Sequence, residues 1–372
     1  MKNLVFPDYD HSLLNITQSI LKHYHVNISY STIEELDRRL KKQPRNVVYV
    51  LIDGLGTEIL KKHPREAAFL ISKQRDILTT VFPSTTTSAT VSAMTGLPPM
   101  TTSWIGWQQF IQEEGRHVIF FQNKDYYDEN YQFDYDVANR YAKLTYHYDL
   151  IKQKNPDVNV HEIFPAFRQE HHDTIAKQVK TCLRLLDDQE KHFVYLYWNH
   201  VDSLLHEFGT QVQEVKDEIR LVNHAIKELF ESVSHDTLIV VTADHGHIDV
   251  ETENIFQHEE LTMMLKEKPA LESRATAFYV KDEYMDVFPK VFDKYYRNHF
   301  VLYKSEELLD MDIFGQGKMH PRLKAYLGDF VSIAIDRFAF GLTNKEPHKA
   351  THAGLTKDEM LIPLILNDEM NE

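Results

Sequence analysis

The sequence predicts an α/β protein in which helices flank both faces of a mostly parallel central sheet. Segments 46–52 and 237–242 are nearly continuous runs of β-branched and other apolar residues, as expected for strands buried on both faces. Helical segments alternate with such strands, which indicates crossover connections and a parallel sheet. The 372 residues, 42% of them hydrophobic, could form one large domain or two ordinary ones. No long Ser- or Gly-rich linker divides them, so we predict a single domain over residues 1–372.

The first 45 residues form a predicted helical lead-in to the sheet. One helix is predicted over 12–25 and another over 31–42, where Thr32 and Glu35 have the spacing of an N-terminal capping box. The strand at 46–52 follows and stops at Asp53-Gly54. A helix then begins at Thr57.

The next part of the chain contains a strand, a helix rich in small residues, and another strand. The strand at 77–81 leads into Phe82-Pro83-Ser84-Thr85-Thr86. A helix over 88–95 ends at Gly96, with Pro98 and Pro99 beyond it, which is a common way for a helix to stop. A further strand is predicted at 117–121.

The second half continues the alternation of helices and strands. Amphipathic periodicity predicts helices at 174–186 and 212–230, and apolar runs predict strands at 192–198, 237–242, 275–280 and 330–335. Residues 122–150, rich in Tyr, Asp and Asn, show neither period and form the best candidate for a substrate-side insertion. We predict cap segments over 122–170 and parts of 250–350.

The composition of the chain excludes several classes of function. The net charge of −15 argues against a broad surface for nucleic acid or anionic membranes, but not against a small anionic substrate held by cations. Cys182, the only cysteine, lies in an apolar-periodic stretch and is expected to be buried, so no disulfide or thiolate metal cluster can form. No apolar run is long enough to span a membrane and no signal segment is evident, so the cytoplasm is the expected location.

Three motifs offer carboxylate and imidazole metal ligands. Asp202 and His206 are four residues apart, so both project from one face if the segment is helical, although a lone pair of this kind also fits a helix N-terminus with an incidental histidine. Asp244-His245-Gly246-His247 follows a buried strand, where Asp244 could instead cap a helix. The third motif is His352-Ala353-Gly354.

Asp53 and a cluster of hydroxyl groups complete the candidate site. Asp53-Gly54 alone is also typical of a plain turn, and the cluster from Ser84 to Ser88 alone fits a simple helix N-cap. However, Asp53, Thr86, Asp202 and Asp244 each follow a predicted strand, where ligands of parallel sheets bind. Six Asp and His ligands and a nucleophile would suit two metal ions, which favour displacement at phosphorus.

The ordered set Asp53, hydroxyl nucleophile, Asp202-xxx-His206, Asp244-His245-Gly246 and His352-Ala-Gly354 resembles the alkaline phosphatase superfamily. Within it the chain is most similar to the nucleotide pyrophosphatase/phosphodiesterase branch, from about Asn46 to Leu366. The resemblance implies that core fold and hydrolysis of phosphodiester or pyrophosphate bonds in a small phosphate ester or nucleotide.

The resemblance also implies roles for individual residues. In that branch the nucleophile is a threonine nine residues before the Thr of a Thr-Gly pair, which here selects Thr86 before Thr95-Gly96; Thr85 stays open as an alternative. One zinc ion would be held by Asp53, Thr86, Asp244 and His245, and the other by Asp202, His206 and His352. Attack by Thr86 would give a phosphothreonine ester that is then hydrolysed.

The chain departs from the branch after its Thr-Gly pair. Members often have His-Gly and then an asparagine that donates to a phosphate oxygen, whereas this chain has Trp104-Ile-Gly106-Trp107-Gln108-Gln109. We therefore predict Gln108, or Gln109, as a substitute donor. Trp107 and Trp104 are candidates for lining a substrate pocket, with buried packing expected for at least one of them.

Several alternatives share parts of this pattern. A phosphosugar mutase would use Ser84 or Ser88 and manganese, and a phosphonate hydrolase would use the same threonine and metals. A phosphomonoesterase is also open, although the segment between Arg75 and Arg116 contains no arginine to meet the extra charge of a monoester. A sulfatase is disfavoured because no Cys/Ser-x-Pro-x-Arg motif occurs. A metal-dependent binding protein without turnover is the alternative outside enzymology.

Overall fold

The structure, a computed structural model, describes residues 4–368 of the chain. Numbered along the chain, its strands are β1 (Asn46–Ile52), β2 (Gln74–Thr79), β3 (Gln109–Ile111), β4 (Arg116–Ile119), β5 (Lys124–Asp125), β6 (Val158–Ile163), β7 (Lys191–Trp198), β8 (Thr237–Thr242), β9 (Ile248–Asp249), β10 (Glu251–Asn254), β11 (Ala270–Leu271), β12 (Ala275–Phe278), β13 (Phe300–Lys304), β14 (Phe330–Ala334), β15 (Phe338–Gly341), β16 (Ala350–Thr351) and β17 (Leu361–Leu366).

The helices connect these strands and cover the sheets. They are α1 (Leu13–His23), α2 (Glu34–Leu40), α3 (Thr57–Lys62), α4 (Ala68–Lys73), α5 (Thr86–Thr95), α6 (Pro99–Thr102), α7 (Val137–Tyr141), α8 (His147–Lys154), α9 (Ile175–Leu185), α10 (His200–Phe208), α11 (Gln213–Ser232), α12 (Glu259–Thr262), α13 (Phe288–Tyr296), α14 (Ser305–Asp310), α15 (Leu323–Leu327) and α16 (Lys357–Met360). Among residues 4–368, no helix is both long and apolar enough to cross a membrane.

The central sheet has six strands in the order β2-β17-β8-β1-β7-β6. Strand β1 is buried at every position, pairs in parallel with both β7 and β8, and so occupies the middle of the sheet. Strand β6 continues the parallel arrangement, whereas β17 runs antiparallel to both of its neighbours. The predicted fold class, a mostly parallel sheet with helices on both faces, is confirmed, with β17 as the exception.

Most predicted core elements lie within a few residues of the observed ones, and the differences have local causes. Helix α2 begins at Glu34, with Ile33 rather than Thr32 as N-cap. The Thr32 hydroxyl instead donates to Asp37 at 2.9 Å, so the predicted capping box does not form. Strand β2 starts three residues earlier than predicted, directly after α4.

The predicted cap segment at 122–170 contains part of the core. Helix α8 and strand β6 lie within it, and β6 forms the edge of the central sheet beside β7. The second half of that segment therefore belongs to the central sheet and its helices, and not to a cap. Residues 123–136, which contain β5 and the loop that leads to α7, lie outside the central sheet.

A second layer of structure covers one end of the central sheet. Its main part is the antiparallel sheet β11-β12-β14-β13, and beside it lies the three-stranded sheet β3-β4-β5. The strands predicted at 117–121, 275–280 and 330–335 all lie in these antiparallel sheets, not in the parallel one. The second layer has a hydrophobic core of its own, which is rich in aromatic residues and includes Phe278, Phe288, Phe292 and Phe300.

A buried ion pair joins this second layer to the central domain. Arg274, just before β12, donates from Nε and Nη2 to the two carboxylate oxygens of Glu359 in α16, at 2.7 and 2.9 Å. Both side chains are fully buried. The Glu359 carboxylate also accepts from the Gly354 and Thr356 N–H groups and the Thr356 hydroxyl. One carboxylate thus fixes both the layer and the loop that carries His352.

Candidate active site

The predicted site residues meet at the carboxyl ends of three neighbouring strands. Register pairs Ile52 of β1 with Trp198 of β7, and Leu51 with Thr242 of β8, so the three strands end at the same level. Asp53 follows β1, Asp244 follows β8 after one residue, and α10 with its two predicted ligands begins just beyond β7. This is the edge at which ligands of parallel sheets collect.

Asp53, Asp244 and His245 form the first cluster of possible ligands. The Nε2 atom of His245 lies 3.4 Å from Asp53 Oδ1 and 3.3 Å from Asp244 Oδ2. All three side chains are almost completely buried. Their ligand atoms lie within 4.8 Å of one another, close enough to share one ion.

Hydrogen bonds orient one oxygen of each carboxylate towards that common point. Asp53 Oδ2 accepts a short hydrogen bond from the Tyr197 hydroxyl, and Asp244 Oδ1 accepts from the N–H groups of Gly54 and His245. The other oxygens, Asp53 Oδ1 and Asp244 Oδ2, are buried and have no hydrogen-bond partner. Buried unpaired carboxylate oxygens are costly, which indicates a partner that is a cation.

Asp202, His206 and His352 form a second cluster beside the first. The Nε2 atoms of His206 and His352 lie 3.2 Å apart, and Asp202 Oδ1 lies 3.4 Å from the first and 3.7 Å from the second. The Nδ1 atoms of the two histidines face the carbonyl oxygens of Ala350 and Ser84. Protonation at Nδ1 satisfies those carbonyls and leaves both Nε2 lone pairs directed at one point, as in metal-binding histidines.

His247 is a further member of the site that the sequence argument left outside the ligand set. Its Nε2 lies 2.7 Å from Asp202 Oδ1, closer than either predicted partner of that carboxylate. It also belongs to a second group of ligand atoms within 4.8 Å, with Asp202, His245 and His352. The Asp-His-Gly-His spacing was the available signal, but spacing alone could not show which way the second histidine points.

Gly54 allows the two clusters to approach each other. Its φ of +75° is unfavourable for any residue with a side chain, and a Cβ there would lie 3.1 Å from both the Asp202 backbone and the His247 ring. The Asp53-Gly54 pair is therefore a turn, as its sequence indicates, and Gly54 is the point where the chain after β1 packs closely against α10. The motif forms a turn and also places the Asp53 carboxylate in the first cluster, so its two interpretations do not exclude each other.

The donor set fits two divalent cations. Three carboxylates and three histidines converge in a buried volume, and burial together with the charges of Asp244 and Asp202 raises the pKa of Asp53 well above its usual range. Burial likewise lowers the pKa of His206 to about 3, so the ring is neutral and its Nε2 lone pair is free to bind a cation. Mixed nitrogen and oxygen ligands of this kind suit zinc, with manganese as a second choice.

Thr86 is the hydroxyl that borders the first cluster. It is the first residue of α5, and its Oγ1 lies 3.1 Å from His245 Nε2. The neighbouring Thr85 is the N-cap residue, but its hydroxyl donates to Glu272 at 2.5 Å and caps no N–H group. The first-turn N–H groups of α5 therefore lack a capping side chain, which leaves them available to an anion.

The two serines considered as nucleophiles are placed differently. Ser84 donates its hydroxyl to the carbonyl of Gly354 at 2.7 Å, and Ser88 is fully buried inside α5. Neither lines the cavity in front of the metal ligands, whereas Thr85 and Thr86 do. Geometry thus separates the threonines from the serines.

The cavity in front of the clusters has a volume of 470 Å³. Of the two predicted substrate-binding residues, Trp107 lines this cavity. Gln108 does not: its amide donates to the Pro269 carbonyl and its oxygen meets the His117 ring inside the core. Gln109 is buried as well and accepts from the Ile105 N–H. The prediction of a glutamine donor to the substrate is wrong for this structure, because both glutamine side chains are buried in hydrogen bonds within the core and neither lines the cavity.

Two cavity residues, Glu272 and Tyr126, have no motif that could have revealed them. Oε1 of Glu272 accepts from the Thr85 hydroxyl and, at 2.6 Å, from the Trp107 N–H. Burial raises the pKa of this carboxyl to about 7, despite those two hydrogen bonds. Tyr126 comes from the segment predicted as a substrate-side insertion.

Comparisons with known proteins identify the family and the fold of the chain. The family model described as type I phosphodiesterase / nucleotide pyrophosphatase matches residues 47–355. A search of curated proteins finds no match. Among solved structures, an inactive variant of murine ectonucleotide pyrophosphatase / phosphodiesterase 5 in complex with AMP is 17% identical, with 86% of this chain and 87% of that chain covered and a TM-score of 0.61.

A second type of solved structure is equally similar. Phosphonoacetate hydrolase from Sinorhizobium meliloti, in complex with phosphonoacetate, is 15% identical to this chain. The match covers 87% of this chain and 90% of that one, with a TM-score of 0.64. At such identities these likenesses establish the fold.

Proposed function

Because the chain belongs to the type I phosphodiesterase / nucleotide pyrophosphatase family and is thus a metal-dependent hydrolase of phosphorus esters, we propose that it cleaves phosphodiester or pyrophosphate bonds with Thr86 as nucleophile. The observation that carries this proposal is the position of Thr86. Its hydroxyl lies at the N-terminus of α5, 3.1 Å from His245 Nε2 of the first cluster, and Thr86 lines the cavity together with Asp202, His206 and His352 of the second.

Two zinc ions would occupy the two clusters. Asp53, Thr86, Asp244 and His245 would hold the first ion, and Asp202, His206 and His352 the second. When bound, the ions supply positive charge at the attacking and leaving oxygens and lower the pKa of the threonine hydroxyl. The unpaired oxygens of Asp53 and Asp244 support the first position, and the facing Nε2 atoms of His206 and His352 support the second.

The chain's own residues perform the two displacements. Thr86 Oγ1 gives its proton to solvent and attacks phosphorus in line, so the P–O bond to the departing alcohol breaks as the bond to Thr86 forms, and the alcohol takes up a proton. Water then attacks the same phosphorus from the side opposite Thr86. The P–O bond to Thr86 breaks, and Thr86 Oγ1 recovers a proton from that water. The uncapped N–H groups at the start of α5 would donate to non-bridging phosphoryl oxygens, a role that the excluded Gln108 does not fill.

The charge of the cavity favours a diester over a monoester or a carboxylated phosphonate. None of the cavity-lining residues, all of which lie in the described part of the chain, is an arginine. The one lysine among them, Lys345, is engaged in an ion pair with Glu129. A substrate with two or more negative charges would therefore find little compensation beyond the metal ions themselves.

Hydrolysis of bis-p-nitrophenyl phosphate and of p-nitrophenyl phosphate, with zinc added, manganese added or metal chelated, tests the proposal. We expect metal-dependent turnover with preference for the diester. Thr86→Ala should lower it by about a thousandfold or more, the scale of losing a covalent nucleophile. Thr85→Ala is the matched control and should retain most activity.

The covalent step can be observed directly. Acid quenching during turnover, followed by peptide mass spectrometry, should locate a phosphodiester-derived adduct on Thr86. An adduct on Thr85, or equal losses of activity in the two variants, would contradict the assignment of the nucleophile. Preference for the monoester would move the chain to the phosphatase side of its superfamily.

A further inference from the structure

Glu272 is a partly buried carboxyl group in the cavity that the proposed hydrolysis does not use. It lies in the loop between β11 and β12, beside Thr85 and Trp107. Within residues 4–368, no lysine, arginine or histidine is among the groups that shift its pKa. A carboxylate in such a place is normally paired with a cation, and here the free space next to it is the substrate cavity.

The hydrogen bonds of Glu272 leave one of its oxygens for a ligand. Both hydrogen bonds that the structure gives this carboxyl end on Oε1, from the Thr85 hydroxyl and the Trp107 N–H. These two contacts fix the plane of the carboxyl group and direct Oε2 away from them. The group is therefore held in a defined orientation without having its charge balanced.

The charge balance of the cavity calls for one positive group on the substrate. Two divalent ions would carry four positive charges, of which Asp53, Asp202 and Asp244 cancel three, and the remaining one matches the single charge of a phosphodiester. Lys345 is paired with Glu129. Glu272 is left without a positive partner, and an ammonium group on the substrate would both favour its ionised form and balance that charge. A diester that carries its own positive charge therefore complements the cavity better than a purely anionic one.

Two aromatic rings line the same part of the cavity. Trp107 is tied to Glu272 through its backbone, and Tyr126 lies near enough that, after burial, the charge of Glu272 is the next cause raising the pKa of the tyrosine, to about 12. Both side chains line the cavity. An aromatic face attracts a cation, most strongly when the ring is tryptophan, and repels an anion.

We propose that Glu272, Trp107 and Tyr126 form a subsite for an ammonium group, so that the substrate is a zwitterionic phosphodiester with an amine on one of its two ester groups. The ammonium contacts Glu272 Oε2 and the two rings while the phosphoryl group lies at Thr86. This inference rests on the proposed phosphodiesterase function and names its substrate class.

Two probes of equal size test the role of charge. In p-nitrophenyl 3-aminopropyl phosphate the second ester group ends in an ammonium, and in p-nitrophenyl butyl phosphate it ends in a methyl group. Released nitrophenol and released alcohol are both measured, so that either ester bond can break. We expect kcat/KM for the amino diester to be about tenfold higher or more, as for a desolvated ammonium beside a carboxylate and aromatic faces.

Glu272→Gln separates recognition of charge from a merely structural role. Glutamine retains an oxygen that can accept from Thr85 and Trp107, but it removes the negative charge. The variant should lower kcat/KM for the amino diester and leave the butyl diester nearly unchanged, bringing their ratio close to one. Glu346→Gln, at an exposed carboxyl on the rim whose side chain is 85% accessible, is the matched control and should leave the ratio unchanged.

The outcomes distinguish failure of this inference from failure of the proposed function. If both diesters are hydrolysed equally by the wild type, or if the preference survives in Glu272→Gln, the ammonium subsite is refuted and the phosphodiesterase stands. If neither diester is hydrolysed in the presence of zinc or manganese, the proposed function fails and the subsite fails with it. The wild-type comparison does not depend on the variant, so it decides the matter even if Glu272→Gln does not fold.

Discussion

Replacing Glu359 with glutamine should strongly destabilise the protein. The substitution keeps the size of the side chain but leaves the Arg274 guanidinium, which is fully buried, without a counter-charge. Breaking a buried ion pair by neutralising one partner typically costs about 3–5 kcal/mol. The carboxylate also accepts three hydrogen bonds from Gly354 and Thr356, so we expect a loss at the upper end of that range.

Urea denaturation of the metal-free protein, monitored by tryptophan fluorescence, measures the loss in free energy of unfolding. The double variant Glu359→Leu with Arg274→Met removes both charges together and should be less destabilised than Glu359→Gln alone, because no charge is then left unpaired. Glu260→Gln, at the exposed ion pair with Lys294, is the surface control and should show no measurable change.

Two results would refute this reasoning. A cost below about 1 kcal/mol for Glu359→Gln would mean that the ion pair contributes no more than an exposed one. A double variant as unstable as, or less stable than, Glu359→Gln would mean that the damage comes from lost hydrogen bonds or packing instead of from the unpaired Arg274. In either case the pair would not be what connects the antiparallel layer to α16.

Three further predictions follow from the same geometry. Burial would raise the pKa of Glu359, but Arg274 and the hydrogen bonds outweigh it and lower that pKa. The contribution of Glu359 to the free energy of unfolding should therefore be complete above about pH 4.3 and be lost as the pH falls further. Acid denaturation curves should show this decline in the wild type and not in Glu359→Gln. Tyr197→Phe, which removes the donor to Asp53 Oδ2, should weaken zinc binding about 10- to 100-fold by competition with a chelator; unchanged affinity would contradict its orienting role. Gly54→Ala should lower the melting temperature with metal chelated, because of its φ of +75°, and an unchanged melting curve would contradict the strain argument.

The sequence was sufficient to predict that these carboxylate and imidazole side chains lie together, because strand ends are easy to recognise. Strands β1 and β8 are largely apolar and buried throughout, so Asp53 and Asp244 stood out as the first charged residues beyond them. The rule that ligands meet at the carboxyl ends of parallel strands then placed both in one cleft with the residues that follow β7. Structure added the orientation of each ligand atom, which depends on distant donors such as Tyr197.

Other parts of the fold carry weaker signals. Edge strand β6 is largely polar and partly exposed, and β17 contains Pro363, which lacks an N–H group and obscures a strand. Neither was predicted. Glu272 was invisible for another reason: it stands alone in its loop, and its proximity to Thr85 depends on how the antiparallel layer packs against α5. Contacts between separate layers produce no periodicity or fixed spacing in the sequence, so they cannot be predicted from it.

The spread of the proposed metal ligands along the chain has a consequence for shortened forms of the protein. These ligands begin at Asp53 and end with His352, so they span almost the whole segment, residues 47–355, that the family model matches. A chain that stops before His352 could still form the central strands β1, β7 and β8, but it would lack one imidazole of the second cluster. Such a chain should therefore lack hydrolase activity even if its central sheet has formed.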